Sequence, residues 1–458
     1  MSTSDAGIKH FESTFTLTMG DLRMTPELRD SVLVVNCWDD SNKGDAAITI
    51  GVLNTLVVNQ AASLLKVSSY VVHQTEDEMR HAFRHVTQAH PHVDLVPCYL
   101  PALSRSIGKA TVLIRLIRSI AKLLLPGVIP DTQLDAAVRS AKTVASNGGL
   151  YFGFRPSSAA NMLYHLFAFS YPMLLAKRLG VPFVLFSQSF GPLPSRLSRW
   201  WMRMLVNHSH GAWCRESLSY DVLKNLRLNE SKLKVVPDAA FGISSSHNSN
   251  LDQLPLQGLA PGSYVAMSIR SLVPSGFSEE AESAYLQAFR EAIEWLSVEC
   301  NIHVLLVAHT IGPIADEDDR ITTRAVYDQL NPKALNNVTV CDLDLSPQQL
   351  CTLYGNAKAV VATRFHAVVL TLCGGTPVIA IPYFGIKTQG ALRDIGLASA
   401  VVEVGSLNGN MLKEKLAFYI ANQAASRSEI AVLAARLYEG AMHSGAMLKE
   451  LALQTASV

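Results

Sequence analysis

Short runs of β-branched and aliphatic residues, each followed by a longer stretch of helical spacing, recur twice over between Ser31 and Ile381. An apolar run without alternation fits a strand covered on both faces, and that requires helices on either side of a parallel sheet. In the first series Ser31–Cys37, Val67–His73, Thr143–Ser146, Pro182–Phe186, Gly211–Cys214 and Leu233–Pro237 read as strands. Helical patterns over Asp45–Val58, Asp77–Thr87, Ala159–Leu179, Arg196–Asn207 and Tyr220–Leu226 separate them. The stretch Ser244–Gly262 turns to Ser, Asn, Gln, Pro and Gly and reads as a linker. The alternation then restarts with strands at Tyr264–Ile269, His303–Ala308, Val338–Cys341, Ala359–Ala362 and Val378–Ile381. This pattern predicts an α/β chain of two Rossmann-like, doubly wound parallel-sheet domains facing a cleft. The expected division is a leader over 1–30, a first domain over 31–243, the linker 244–262 and a second domain over 263–411. Helices over 412–458 are expected to pack back on the first domain.

Composition narrows the function classes. At 458 residues the chain exceeds one hydrophobic core. Lys and Arg number 39 against 38 Asp and Glu, a balance that argues against a nucleic-acid-binding surface. Seven cysteines without a C-x-x-C pair indicate neither a disulfide framework nor a zinc site, and suit a reducing, cytoplasmic setting. The N-terminal residues show no apolar core of a signal peptide. The longest aliphatic stretch, Val112–Ile129, is interrupted by Arg115, Arg118 and Lys122 and cannot be a simple spanning helix. Those cations share one helical face, with Leu113, Ile117, Ile120 and Leu124 on the other. Two readings stay open: an ordinary amphipathic surface helix, or a helix whose cations lie on an anionic membrane surface.

Polar residues repeatedly fall just after the C-terminal ends of the strands, the edge where open α/β sheets bind ligands. Asn42-Lys43-Gly44-Asp45 follows the first strand and opens a helix, where a glycine allows close approach and the helix N-terminus favours anions; Asp45 could equally be an N-cap. Asn147-Gly148-Gly149 with Arg155, Gln188-Ser189-Phe190-Gly191-Pro192, Arg215 and Asp238 follow later strands, with Gln188 expected to face the cleft. In the second half Arg270, His309 and the pair Arg364-x-His366 do the same, and Tyr383 and Lys387 follow the last strand. Arg364 and His366 are the most pointed of these: a fixed cation beside a titratable imidazole suits an anionic substrate and proton transfer. The run Asp316-Glu317-Asp318-Asp319 lacks the spacing of a metal site and reads as a solvated helix start.

Taken in order, several segments resemble the polysaccharide pyruvyl transferase family. They are Asn42-x-Gly44-Asp45-x-Ala47-Ile48, Asn147-Gly148-Gly149, Gln188-Ser189-Phe190-Gly191-Pro192, Arg215-Glu216-Ser217 and Pro237-Asp238-Ala239-Ala240-Phe241. Ser268-Ile269-Arg270, Asp319-Arg320, Thr363-Arg364-Phe365-His366 and Lys387-x-x-Gly390 continue the match. Two departures stand out: Asn147 replaces the first glycine of a glycine-rich loop, and Asp238-Ala239-Ala240 stands where Asp-Pro-Ala is usual. The resemblance implies a GT-B-like architecture and transfer of a pyruvyl group from phosphoenolpyruvate onto a sugar, often as a ketal, with release of phosphate. On that resemblance Arg215 and Arg364 are expected as anion clamps, and His366 as the general acid/base. Arg270 and Lys387 would add donor contacts, while Asp45, Gln188, Asn42 and Gly44 would lie on the acceptor side. Neither a metal nor another cofactor is expected. The acceptor sugar could be lipid-linked, free or polymeric, and a lipid-linked one would give the basic helix a purpose at the inner face of the membrane. Two other readings remain: a GT-B glycosyltransferase using a nucleotide sugar, and a non-catalytic, membrane-associated polysaccharide assembly protein.

Overall fold

Two parallel sheets carry the chain. The computed structural model describes residues 29–102, 107–125, 127–153, 158–243, 251, 259–383 and 387–456. The first sheet contains β1 (Ser31–Cys37), β2 (Leu64–Ser69), β3 (Asp94–Val96), β4 (Ala141–Ser146), β5 (Phe183–Gln188), β6 (Gly211–Cys214) and β7 (Leu233–Val235). Their order is β3-β2-β1-β4-β5-β6-β7. The second sheet contains β8 (Tyr264–Ser268), β9 (His303–Val307), β10 (Val338–Cys341), β11 (Val360–Ala362) and β12 (Val378–Ala380), in the order β10-β9-β8-β11-β12. β1, β5, β8 and β11 are buried throughout, as their unbroken apolar runs require.

Helices cover both faces of each sheet. The helices Ala159–Arg178 and Arg196–His208 pack on one face of the first sheet around Leu33, Val144 and Leu185. On the other face lies Lys43–Val58, whose buried side meets the long C-terminal helix Gln423–Ala456. Asn59 Nδ2 donates to Met442 O at 2.9 Å, and Lys234 Nζ lies 3.0 Å from Met447 Sδ. The C-terminal helix therefore packs back on the first sheet, as the sequence predicts.

Three local readings need correction. The expected helix Asp77–Thr87 is two helices, Glu76–Ala82 and Arg84–Ala89, broken at the buried Phe83. Asp40 holds the break: its Oδ2 accepts from His85 N at 2.7 Å and Val86 N at 3.0 Å, satisfying amides that the start of a helix leaves free. The edge strand β3 has three residues, too short to show a period. The helix Lys109–Leu124 is rotated relative to the membrane reading. Its cations Arg115 and Lys122 face the protein, where Lys122 Nζ pairs with Asp135 at 2.7 Å and Arg115 donates to Tyr99 O at 3.0 Å. A buried ammonium needs a carboxylate, and Asp135 supplies it. The leader over 1–28, Arg155 and most of the linker lie outside the described residues. Among the described residues no helix is long and apolar enough to cross a membrane.

Candidate active site

In each sheet the strand order reverses once, and the loops leaving the strands on either side of that point diverge to open a crevice. In the first sheet this happens between β1 and β4, whose following loops carry Asn42–Asp45 and Asn147–Gly149. In the second it happens between β8 and β11, followed by Arg270 and by Arg364 and His366. The two crevices face each other.

On the first side, Asn42 caps the helix Lys43–Val58 by accepting Gly44 N at 3.1 Å, so Asp45 is a first-turn residue and not the cap. Gly44 has a second role. A Cβ built there would lie 2.4 Å from Nδ1 of His366, so the imidazole of the second sheet's loop rests directly on the glycine of the first. Backbone bonds hold this contact in register: Asn42 bridges Thr310, and Ile311 N donates to Ser41 O at 3.0 Å. Close by, Lys43, Arg84 and His85 all converge on Asp344, which comes from the loop after β10.

His366 Nε2 lies 3.6 Å from Asp238 Oδ2, within ion-pair range but beyond hydrogen-bond length, and is buried without a hydrogen bond. Asp238 is itself bound to Arg215, whose Nη1 donates to Oδ2 at 2.7 Å. Burial alone would raise the Asp238 carboxyl, but Arg215 and His366 outweigh it and hold it well below the usual carboxylate range. Arg215 Nε donates to Ser189 Oγ at 2.7 Å, and Ser189 in turn donates to Glu216 at 2.8 Å. The Arg215 guanidinium also stacks 5.0 Å above the Phe365 ring, a second contact between the two sheets' loops.

Arg364 gives most of its guanidinium to Asp319, with Nη2 to Oδ1 at 2.6 Å and Nε to Oδ2 at 3.1 Å, and donates to Glu317 O at 2.8 Å. Burial works against its charge, but Asp319 prevails and raises its pKa. Arg270 stacks on Tyr383 at 4.0 Å and donates through Nε to Ser271 O at 2.9 Å. Among the described residues no acceptor meets Arg215 Nη2, Arg364 Nη1 or either Nη of Arg270. The structure thus leaves donors on three arginines, and Arg270 keeps the most.

Asp45 is partly exposed, and its carboxyl is pushed up to about 7, by desolvation first and by Glu317 second, against Arg215 and Arg364. His309, buried with Nε2 unpartnered, is kept neutral by burial and then by the positive charge of Arg364 and its neighbours.

The expected residues Asn42, Gly44, Asp45, Arg215, Arg270, Arg364 and His366 therefore come together. Gln188 does not line the crevice. It is 1% exposed, and its Nε2 donates to Ser146 Oγ at 2.9 Å and Asn147 O at 2.7 Å, bracing the Asn147 loop from beneath. Its neighbour Ser187 has φ 49°, where β5 breaks register with β6, and this bulge turns Gln188 inward. The side chain of Lys387 lies outside the described residues. Asp319, expected in a solvated helix start, is 1% exposed and is the partner of Arg364; Asp318 is the residue that caps the helix Asp319–Asp328. Asp238, given no role from the sequence, pairs with Arg215 and lies beside His366. Its position after a strand end is the same signal that marked Arg215.

Two opposed Rossmann-like units of this kind define a GT-B-like α/β protein, and solved structures agree. UDP-GlcNAc 2-epimerase from Neisseria meningitidis superposes with a TM-score of 0.54 at 11% identity, over 93% of this chain and 99% of that one. The kitacinnamycin glycotransferase gives 0.51 at 12% identity, over 93% and 99%. Anabaena HepE in complex with UDP gives 0.51 at 12%, over 94% and 100%. At such identities the likeness establishes the fold alone. The polysaccharide pyruvyl transferase family model matches residues 79–383, and the chain belongs to that family. The amylovoran biosynthesis protein AmsJ of Erwinia amylovora is 23% identical over 242 residues, which are 51% of this chain. This chain spans about half, 56%, of that relative's length.

Proposed function

We propose that the cleft transfers the pyruvyl group of phosphoenolpyruvate to two hydroxyls of a sugar, forming a cyclic ketal and releasing phosphate. The observation that carries this reading is His366: an imidazole seated on Gly44 through Nδ1, with Nε2 buried 3.6 Å from Asp238 and without a hydrogen bond. Phosphoenolpyruvate brings a carboxylate and a phosphate, both matched to guanidinium geometry. Arg270, whose two Nη atoms meet no acceptor among the described residues, suits a two-pronged contact, and Arg215 and Arg364 each add one.

The reaction requires a proton on the terminal enol carbon, which becomes a methyl group, while an acceptor hydroxyl bonds to the central carbon. A second hydroxyl of the sugar then displaces phosphate from that carbon, and its proton leaves with the phosphate. His366 delivers the first proton, and Asp238, 3.6 Å from Nε2, stabilises the imidazolium. Asp45, titrating close to neutrality on the opposite side, takes the proton of the attacking hydroxyl. The sugar acceptor meets Asn42 and Asp45 at the start of the helix.

The test is incubation with phosphoenolpyruvate and a panel of glycan acceptors, reading phosphate release and product mass. The His366→Ala variant should make no product yet bind phosphoenolpyruvate nearly as well as the parent in calorimetry. Undiminished turnover by that variant, or nucleotide released from a nucleotide sugar in place of phosphate, would overturn the proposal.

A further inference from the structure

The helix Lys109–Leu124 presents the wrong face to water. Leu113, Ile114, Ile117, Leu124, Leu125 and, just beyond the helix, Val128 are 54% to 72% exposed, while Arg115, Ser119 and Lys122 turn inward. A contiguous aliphatic stripe of this length is rare on a free surface. Its surroundings are strongly one-signed. Residues 95–214 contain thirteen Lys and Arg against two Asp and no Glu, in a chain whose net charge is only +1. Both of those carboxylates, Asp131 and Asp135, are engaged by Lys122. Lys109 and Arg118 stay exposed at the flank of the stripe.

The same layer carries a second, matching element. The helices Lys109–Leu124 and Arg196–His208 both pack against Ala159–Arg178 and both bury side chains in the core on that face of the first sheet. Arg196, Arg199, Trp200 and Arg203 recur at helical spacing on the outward side of Arg196–His208 and are exposed, Trp200 to 59%. An aliphatic stripe flanked by cations and an exposed tryptophan, its two nearby carboxylates both paired with Lys122, has the chemistry of a helix lying in a bilayer interface. A second copy is a poorer occupant, because a two-fold contact would set cationic face against cationic face.

We infer that this layer docks on an anionic lipid bilayer, with the apolar face of Lys109–Leu124 inserted among the lipids and the arginines of Arg196–His208 at the headgroups. Of the three cations on this helix, Arg115 and Lys122 hold it to the protein, and Arg118 stays at the flank of the stripe. The helix begins after the loop that follows β3, at the ligand-binding edge of the first sheet, so docking sets the cleft beside the membrane. That a lipid-linked sugar is the acceptor rests on the reaction proposed above; the docking itself does not.

Flotation of the full chain with vesicles tests it. The protein should float with vesicles containing phosphatidylglycerol and bind purely zwitterionic ones about ten-fold more weakly. Ile117→Asp with Leu124→Asp, both at exposed positions, should cut partitioning about ten-fold or more while the thermal midpoint is unchanged. Arg196→Gln with Arg203→Gln should remove the preference for anionic lipid. No flotation, equal flotation of the Asp variant, or a dimer in sedimentation that Ile117→Asp dissolves would each overturn the inference. Flotation by a protein that makes no product from phosphoenolpyruvate would uphold the docking and defeat the reaction assignment.

Discussion

Gly44→Ala is the sharpest perturbation of the site, because it is expected to weaken catalysis without weakening the fold. The new Cβ would stand 2.4 Å from His366 Nδ1, 2.8 Å from its Cγ and 2.9 Å from its Cβ, where ordinary contact starts at 3.4 Å. The imidazole must therefore retreat by about 1 Å, either by turning or by parting the two sheets' loops. A misplacement of about 1 Å in a group that transfers a proton costs about 100-fold in rate, equivalent to about 2.7 kcal/mol of barrier. The helix itself responds in the other direction. Gly44 lies in the first turn of Lys43–Val58, where alanine is favoured over glycine by up to about 1 kcal/mol. Phosphate release with the acceptor found by screening should thus fall about 100-fold, with a thermal midpoint within a few degrees of the parent's, because crowding at the contact offsets the helix preference. A rate within about three-fold of the parent would show that His366 does not work from this position, and a lost rate accompanied by a midpoint lowered further than that would show that Gly44 serves folding.

Two further outcomes follow from the charges. Asp319→Ala leaves the Arg364 guanidinium buried without its carboxylate, and urea unfolding should register a loss of about 3–5 kcal/mol; a loss below about 1 kcal/mol would mean the pair is not desolvated as described. If Asp45 is the base, activity should be present above its pKa of about 7 and fall as the pH drops through it, since the base must be ionised to accept a proton. Asp45→Asn should remove that limb from the pH profile of kcat/KM, and a profile retaining it would assign the limb to another group.

Much of the architecture could be read from the chain because buried parallel strands are uniformly apolar and end abruptly. Gly211–Cys214 and Val338–Cys341 match the structure residue for residue. Residues picked for following strand ends, Arg215, Arg270, Arg364 and His366, also come together in the structure. What could not be read is pairing across the chain. Asp319 looked solvated because its three acidic neighbours dominate the local composition, while the arginine that buries it lies 45 residues away. Gln188 has the right position but the wrong direction, since a single left-handed residue before it reverses its side chain. The amphipathic helix could be recognised from its period, but a period does not say which stripe faces the protein. That was decided by Asp135 and Tyr99, both distant from it in its helical pattern.

The convergence of Lys43, Arg84 and His85 on Asp344 has a consequence for how the molecule breathes. Three basic residues at the starts of two helices on the first sheet share a single carboxylate from a loop of the second, so the strength of this clasp is concentrated in one side chain. Lys43 is also the first residue of the helix that carries Gly44 and Asp45. Any parting of the two sheets would therefore pull on the helix of the proposed acceptor side at its first residue. Under the proposed reaction, opening and chemistry would share a lever, and Asp344 would act on it together with the backbone bonds that tie Asn42 to Thr310 and Ser41 to Ile311.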